Sequence, residues 1–83
     1  MDDLSNFEMI QKARTVLNPR SLDLGNTAGD VACALLSTGG NLYFGVNMDI
    51  GSGIGFCAEH AAVAAMITAG ETRIAKIVAI WRE

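Results

Sequence analysis

Apolar residues change their spacing several times along the chain, and each change marks the edge of a predicted element. From Leu4 to Leu17 they recur at nearly helical spacing, which predicts an amphipathic helix over 4–17. Ser5 or Asp3 is available as its N-cap, and the Asn-Pro pair at Pro19 ends the run. The chain therefore begins with a helix whose apolar face needs a partner.

Strand-like runs and a second helix follow. The segments 30–37 and 41–47 are apolar and flank a Ser-Thr-Gly-Gly turn sequence, which predicts a β-hairpin. Residues 57–69 are rich in alanine and leave little polar face, so they predict a helix buried against a sheet, with Gly70 as its C-cap. The run 74–82 is continuous, apolar and rich in Ile and Val, which is typical of a strand covered on both faces.

The loops and the order of the elements complete this prediction. Turn-forming residues fill 20–30, and glycines dominate the loop 49–56. The order helix, strand, strand, helix, strand predicts a single α/β domain over 1–83. The core is small, and the last strand looks central but has no further strand after it to pair with. Both features favour self-association or a chain that continues beyond Glu83, so we expect a domain truncated at its C-terminal end.

The balance of charges narrows the range of partners. The net charge is −3 and the six Lys and Arg residues are not clustered, so nucleic acid is not an expected partner. The first residues are acidic and polar, and no apolar run approaches the roughly 20 residues of a membrane span. We therefore expect a soluble cytoplasmic protein without a membrane partner, in which Cys33 and Cys57 stay reduced.

A cysteine, a glutamate and a histidine lie together at the start of the second predicted helix. In the first turn, Cys57 would meet free N–H groups and the helix dipole, which favour a thiolate able to act as nucleophile or metal ligand. Glu59 does not share its helix face but suits a general acid/base beside a metal-bound water. In the alternative interpretation Cys-x-Glu occurs by chance, His60 is a surface or partly buried imidazole, and Cys33 is a small buried hydrophobe.

Glycines at 51, 53 and 55 precede this helix, in a position where backbone N–H groups are able to bind phosphate. Their spacing lacks the third glycine of a dinucleotide-binding fingerprint, and no Gly-Lys-Ser/Thr follows them. The alternative is a flexible loop that lets the backbone pass close to a small ligand.

The sequence Cys57-Ala58-Glu59, the hairpin before it and the strand IAKIVAIW after it resemble the zinc-dependent cytidine deaminase family, and within it blasticidin-S deaminase-like proteins most closely. The resemblance implies the three-layer α/β sandwich of that family, here incomplete. It implies that Cys57 is a zinc ligand and Glu59 the catalytic general acid/base. It also implies that Asn47, Asp49 and Ala58 contact the substrate.

Two departures from the family pattern affect these roles. The family has Asn-x-Glu-Asn where this chain reads Asn-Met-Asp-Ile from Asn47, which favours an unusual cytosine nucleoside and leaves Asn47 open as a turn residue. The family's Pro-Cys-x-x-Cys motif is absent, since the chain has one proline and two cysteines. Because catalytic zinc needs about three protein ligands, we expect these 83 residues to be the inactive N-terminal part of a deaminase.

The function that the resemblance implies is zinc-dependent hydrolytic deamination of a nucleoside by the full-length protein. The substrate would be cytidine, deoxycytidine or a blasticidin-like analogue, and the product its uracil counterpart. A homodimer or homotetramer is the implied assembly. The alternative is a non-catalytic fragment or assembly module without a complete zinc site.

Overall fold

Helices and strands alternate along the chain in the structure, a computed structural model that describes residues 4–22, 25–49 and 55–82. In chain order the elements are α1 (Asn6–Arg14), β1 (Arg20–Ser21), β2 (Thr27–Ser37), β3 (Leu42–Asp49), β4 (Gly55–Phe56), α2 (Ala58–Thr68) and β5 (Ile74–Trp81). The α/β class and all five predicted elements are confirmed. The short strands β1 and β4 are additions that the sequence patterns did not predict.

Helix α1 begins with a capping box. The Ser5 hydroxyl accepts the Glu8 N–H at 3.1 Å, and the Glu8 carboxylate accepts the Ser5 N–H at 2.8 Å. Two of the N–H groups that a helix start leaves unpaired are thereby satisfied. Ser5 is therefore the N-cap, while the other candidate, Asp3, lies outside the described residues. The helix ends at Arg14, before the predicted residue 17, because the next N–H groups bond three residues back in a tighter turn.

Strand β2 lies at the centre of one antiparallel sheet. β3 pairs with one edge of β2, and β4 pairs with the far edge of β3. The other edge of β2 is shared, since β1 pairs with its first residues and β5 with Val31 to Ser37. The predicted hairpin is confirmed. Residues 20–30, predicted as turns, instead hold β1 and the start of β2.

Strand β5 is an edge strand in the part of the chain that the structure describes, where β2 alone pairs with it. Its exposure alternates: Ile77 is 37% and Trp81 72% exposed, whereas Val78 and Ile80 are half-buried. The predicted strand is confirmed, but the predicted cover on both faces is wrong for this chain. The reason is that the two helices cover different strands, as the core shows.

The core consists of two clusters, one on each face of the sheet. On one face Met9 and Ala13 of α1 pack against β2, with β5 side chains beside them. On the other face α2 packs mainly on β3 and β2, around Cys33 and Leu35. Adjacent residues of β2 alternate between the clusters because successive side chains of a strand point to opposite faces. One helix thus lies over the β5 side and the other over the β3 side, so the described residues leave one face of β5 open.

Helix α2 lies very close to β3 because β3 carries a glycine there. A Cβ added at Gly45 would collide with backbone atoms of Ala58 and Ala62, so no other residue allows this approach. One side of α2 is buried against the sheet, as predicted, and its other side is exposed. Its end follows the prediction, since Gly70 (φ +95°) donates to the Ile67 carbonyl at 2.9 Å in a Schellman-type C-cap.

Candidate functional site

Cys57 occupies the N-cap position of α2. Its backbone is extended, with φ −80° and ψ 166°, and its Sγ accepts the His60 N–H at 3.4 Å. Sulfur here takes the place of the hydroxyl or carboxylate oxygen that usually caps a helix. The side chain is exposed. The predicted ligand residue is therefore at the helix start, accessible to solvent and held by its own helix.

Strand β4 determines where Cys57 lies relative to the rest of the site. Phe56 pairs with Met48 of β3, and Gly55 pairs with Asp49. Cys57 directly follows Phe56, and Asn47 directly precedes Met48, the partner of Phe56. The β3–β4 pairing thus brings the start of α2 to the end of β3 that carries Asn47, although the two residues are ten positions apart in sequence.

The predicted substrate residues of β3 share the face that α2 covers. Tyr43, Gly45, Asn47 and Asp49 alternate with residues of the opposite face. Gly45 lies under the first turns of α2, so Asn47 and Asp49 lie progressively farther toward and beyond the start of α2. Asn47 is half-buried and Asp49 exposed. The strand therefore directs both polar side chains to the end of α2 that carries Cys57.

Glu59 and His60 are both exposed in the first turn of α2. With Cys57 they line one end of an open trough of about 620 Å³ along the outer side of the helix, which continues past Val63 to Ile67. Asn47 and Asp49 do not line this trough. The described residues therefore form two adjoining parts: a polar β3 end beside Cys57, and a largely apolar trough bordered by Glu59.

Ala58, the third predicted substrate contact, has a fully buried side chain. Its methyl packs in the core cluster with Cys33, Ala62 and Met66. The side chain therefore faces the sheet, and the backbone of Ala58 is the part that remains for a ligand at the start of α2.

Cys33 lies in the core beneath the start of α2. It is fully buried, as predicted, and packs against Ala58. Burial, together with the negative charges of Glu59 and Cys57, raises the pKa of the Cys33 thiol to about 11. The free thiol therefore stays protonated at neutral pH, and its burial leaves it no access to solvent.

Zinc does not fit the described residues by themselves. Within residues 4–22, 25–49 and 55–82, no group of three His, Cys, Asp or Glu side chains is arranged to hold a metal ion. A catalytic zinc ion needs about three protein ligands and an open position. Of the two cysteines, Cys57 is exposed and would supply one such ligand, whereas Cys33 is buried. Glycines 51 and 53 of the predicted ligand loop lie outside the described residues, while Gly55 begins β4.

Sequence reasoning missed a polar cluster at the opposite end of α2. The Glu71 carboxylate accepts the Tyr43 hydroxyl at 2.6 Å and the Asn41 amide N–H at 2.8 Å. The bond from Tyr43, with further bonds from Asn41 and Ser37, lowers the pKa of Glu71. This cluster joins the turn of the hairpin to the residue that follows α2. The only sequence signal was a carboxylate after the C-cap glycine, which does not reveal partners about 30 positions away.

Comparisons with known proteins identify no family for this chain. No protein-family model matches it, and a search of curated proteins finds no relative. The resemblance to deaminases therefore remains a prediction from the motif residues. Neither helix of the described chain has the length and apolar character required to cross a bilayer.

Proposed function

We propose that this chain contributes the Cys-x-Glu part of a zinc-dependent site that hydrolytically deaminates a cytosine nucleoside. The observation that supports this proposal most directly is the position of Cys57, exposed at the start of α2 and directly after the strand that pairs with the Asn47 end of β3. A ligand-type sulfur and an exposed carboxylate two residues later thus lie at the start of one helix, and a polar strand end adjoins it. The cytidine deaminase fold itself belongs to the proposal.

In this proposal Glu59 moves protons. Deamination adds water at C4 of the cytosine ring and releases ammonia, so a group must take a proton from water and return protons to the ring and the leaving amine. An exposed carboxylate on a rigid first turn suits this role because it reaches a ligand in front of the helix. Asn47 and Asp49 bind polar groups of the nucleoside. The zinc ligands other than Cys57 come from polypeptide outside the described residues.

A cobalt titration of the chain tests the metal part of the proposal. Cobalt(II) substitutes for zinc and shows a thiolate charge-transfer band whose intensity reflects the number of bound sulfurs. We expect a weak complex with one thiolate, lost in Cys57→Ser and kept in Cys33→Ser, the matched control. A complex that survives Cys57→Ser would contradict the role of Cys57.

An NMR titration with cytidine tests the substrate part. We expect shifts that concentrate at Asn47, Ala58 and Glu59, because these residues surround the start of α2. Uridine serves as the control for binding through the sugar alone. Shifts confined to the far side of the sheet, or none at all, would contradict the proposal. Efficient turnover by these 83 residues would support the activity and overturn the expected need for further ligands.

The open face of β5 favours a second candidate function, that of an assembly module. Ile77 and Trp81 lie on one face of this edge strand, and the exposed Ile67 of α2 is on the same side of the sheet. Exposed apolar side chains next to an unpaired strand edge are typical of protein contacts. Strong self-association without cytidine binding or cobalt–thiolate absorption would favour this candidate over deamination.

A further inference from the structure

Strand β2 contains a bulge directly opposite the candidate substrate residues. The four steps from Ala28 to Ala32 lie opposite only two steps of β3, from Met48 to Val46. Gly29 within the bulge has φ +83°, and a Cβ at this position would collide with the Asn18 carbonyl oxygen. The bulge therefore depends on glycine, both for its backbone conformation and for space.

Each of the three residues of the bulge, 29–31, bonds to a different part of the chain. The Gly29 carbonyl accepts the Asn18 N–H at 3.1 Å, and the Asp30 carbonyl accepts the Arg82 N–H at 2.9 Å. The Val31 N–H donates to Oδ1 of Asn47 at 2.9 Å. Bonds to the segment after α1 and to the end of β5 hold the bulge in place. The third bond, from Val31, then holds the side chain of Asn47 relative to the bulge.

The bond from Val31 determines how the Asn47 amide is oriented. A backbone N–H requires an acceptor, so the side-chain oxygen must face Val31 and the NH2 group must occupy the other branch of the planar amide. The oxygen is therefore occupied by Val31, and the NH2 group is the part of the amide that remains for a ligand. The side chain is half-buried, which limits its other orientations. Asn47 is thereby set to act as a donor.

We propose that the β2 bulge is a positioning element for the candidate site: its Val31 N–H holds the Asn47 oxygen, so that the Asn47 NH2 donates to an acceptor oxygen of the ligand. This inference rests on the proposed function for the identity of the ligand. It adds two points to that function. Gly29 and Val31, which contact no ligand, determine that Asn47 offers its NH2 donor to the ligand, and the ligand carries an acceptor atom opposite this group.

Substitutions of Asn47 separate its two hydrogen bonds. Asn47→Asp keeps an acceptor for Val31 and replaces the NH2 donor, whereas Asn47→Ala removes both groups. In Asn47→Asp we expect protection of the Val31 amide from hydrogen exchange to stay at the wild-type level while cytidine affinity falls about tenfold. In Asn47→Ala we expect both to be lost.

Gly29→Ala tests the bulge without changing Asn47. We expect Val31 exchange to accelerate about tenfold or more and cytidine affinity to fall, because the bulge has to move. Gly25→Ala is the matched control, since Gly25 also has positive φ (+81°) but open space around it, outside the bulge. It should change neither quantity.

The outcomes distinguish this inference from the proposed function. Wild-type affinity in Asn47→Asp would overturn the donor role, and wild-type affinity in Gly29→Ala with accelerated Val31 exchange would overturn the positioning role. Unchanged Val31 exchange in Asn47→Ala would overturn the contact on its own, whether or not cytidine binds. Failure of the wild-type chain to bind cytidine would instead overturn the proposed function and, with it, the assignment of the ligand.

Discussion

The Tyr43 hydroxyl donates a 2.6 Å hydrogen bond to the carboxylate of Glu71, 28 positions later in the chain. Tyr43 belongs to β3 and Glu71 directly follows the C-cap of α2, so the bond joins the hairpin to the end of the helix. At the other end of α2, Gly45 lies against the helix backbone and Cys57 caps its first turn. The helix that carries the candidate site is thus held to β3 near both ends.

This bond makes stability depend on pH. Hydrogen bonds from Tyr43 and Asn41 lower the pKa of Glu71. The ionised Glu71 therefore contributes fully to folding stability above the ordinary glutamate pKa, and this contribution is lost as pH falls through the lowered value. The pKa of Tyr43 is raised by the same bond, so a second loss follows as pH rises through that raised value. We expect the free energy of unfolding, measured with urea at several pH values, to vary less with pH in Glu71→Gln and in Tyr43→Phe than in the wild type.

Glu8 supplies the control for this measurement. The Ser5 capping bonds lower the pKa of Glu8 as well, so part of the acid-induced loss of stability should persist in Glu71→Gln. The double variant Glu8→Gln/Glu71→Gln should be flatter than either single variant. An acid transition identical in wild type and double variant would contradict this prediction.

Gly45→Ala should destabilise the fold by about 1–3 kcal/mol, because the new methyl group would force α2 away from β3. Urea unfolding measures the change. Gly39→Ala is the control: its Cβ would meet side-chain atoms of Glu71 and Asn41 and no backbone among its nearest neighbours, so a smaller loss is expected. Equal losses in the two variants would show that close packing at Gly45 is not the cause.

Replacing Cys57 should separate capping from metal binding. Serine is a favourable N-cap, so Cys57→Ser should keep or raise stability while abolishing cobalt–thiolate absorption. Cys57→Ala loses both functions and should cost about 1 kcal/mol relative to Cys57→Ser. Thermal unfolding gives the first comparison and absorption the second. A serine variant less stable than the alanine variant would contradict the capping role.

Native alkylation should distinguish the two thiols. Cys57 is exposed, whereas Cys33 is buried with a pKa raised to about 11, so iodoacetamide at neutral pH should modify one cysteine of the folded chain and both in urea. Peptide mass spectrometry identifies the site. Because the folded-state pKa of Cys33 is raised, its contribution to stability should also be lost as pH rises toward 11. Modification of Cys33 in the folded chain would contradict its burial.

Self-association should depend on the open face of β5. We expect light scattering to report a dimer or larger species at micromolar concentration, as predicted from the small core, and Trp81→Lys to shift it toward monomer. Phe7→Lys is the matched control, because Phe7 is similarly exposed, at 68%, but lies on α1. An equal effect of both substitutions would contradict a specific role for β5.

Local patterns predicted most of the secondary structure. Ser5 was one of two candidate N-caps and Gly70 the predicted C-cap, both from neighbouring residues alone, and the structure has Ser5 and Gly70 in these places. Exposure was less predictable. The run 74–82 was interpreted as a covered strand because it is apolar throughout, yet cover depends on which strand a helix lies over, and α2 lies over β3 and β2.

In the candidate site, too, local sequence predicts some features and tertiary pairing decides others. The sequence alone predicts that Cys57 and Glu59 lie at a helix start, because glycines precede this segment and alanines follow it. That the start of α2 lies at the Asn47 end of β3 depends on the two-residue strand β4, which carries no periodicity of its own.

The sequence by itself determined where the two helices and the three longer strands form, that Gly70 ends α2, and which residues carry candidate chemistry, because these properties depend on neighbours a few positions apart. Only the tertiary structure decided the short strands β1 and β4, the bulge that bonds Val31 to Asn47, and the offset of the two helices that exposes β5. These features depend on contacts such as those of Val31 with Asn47, 16 positions away, and with Trp81, 50 positions away, whose free energies arise from close packing and hydrogen bonds that no local pattern encodes.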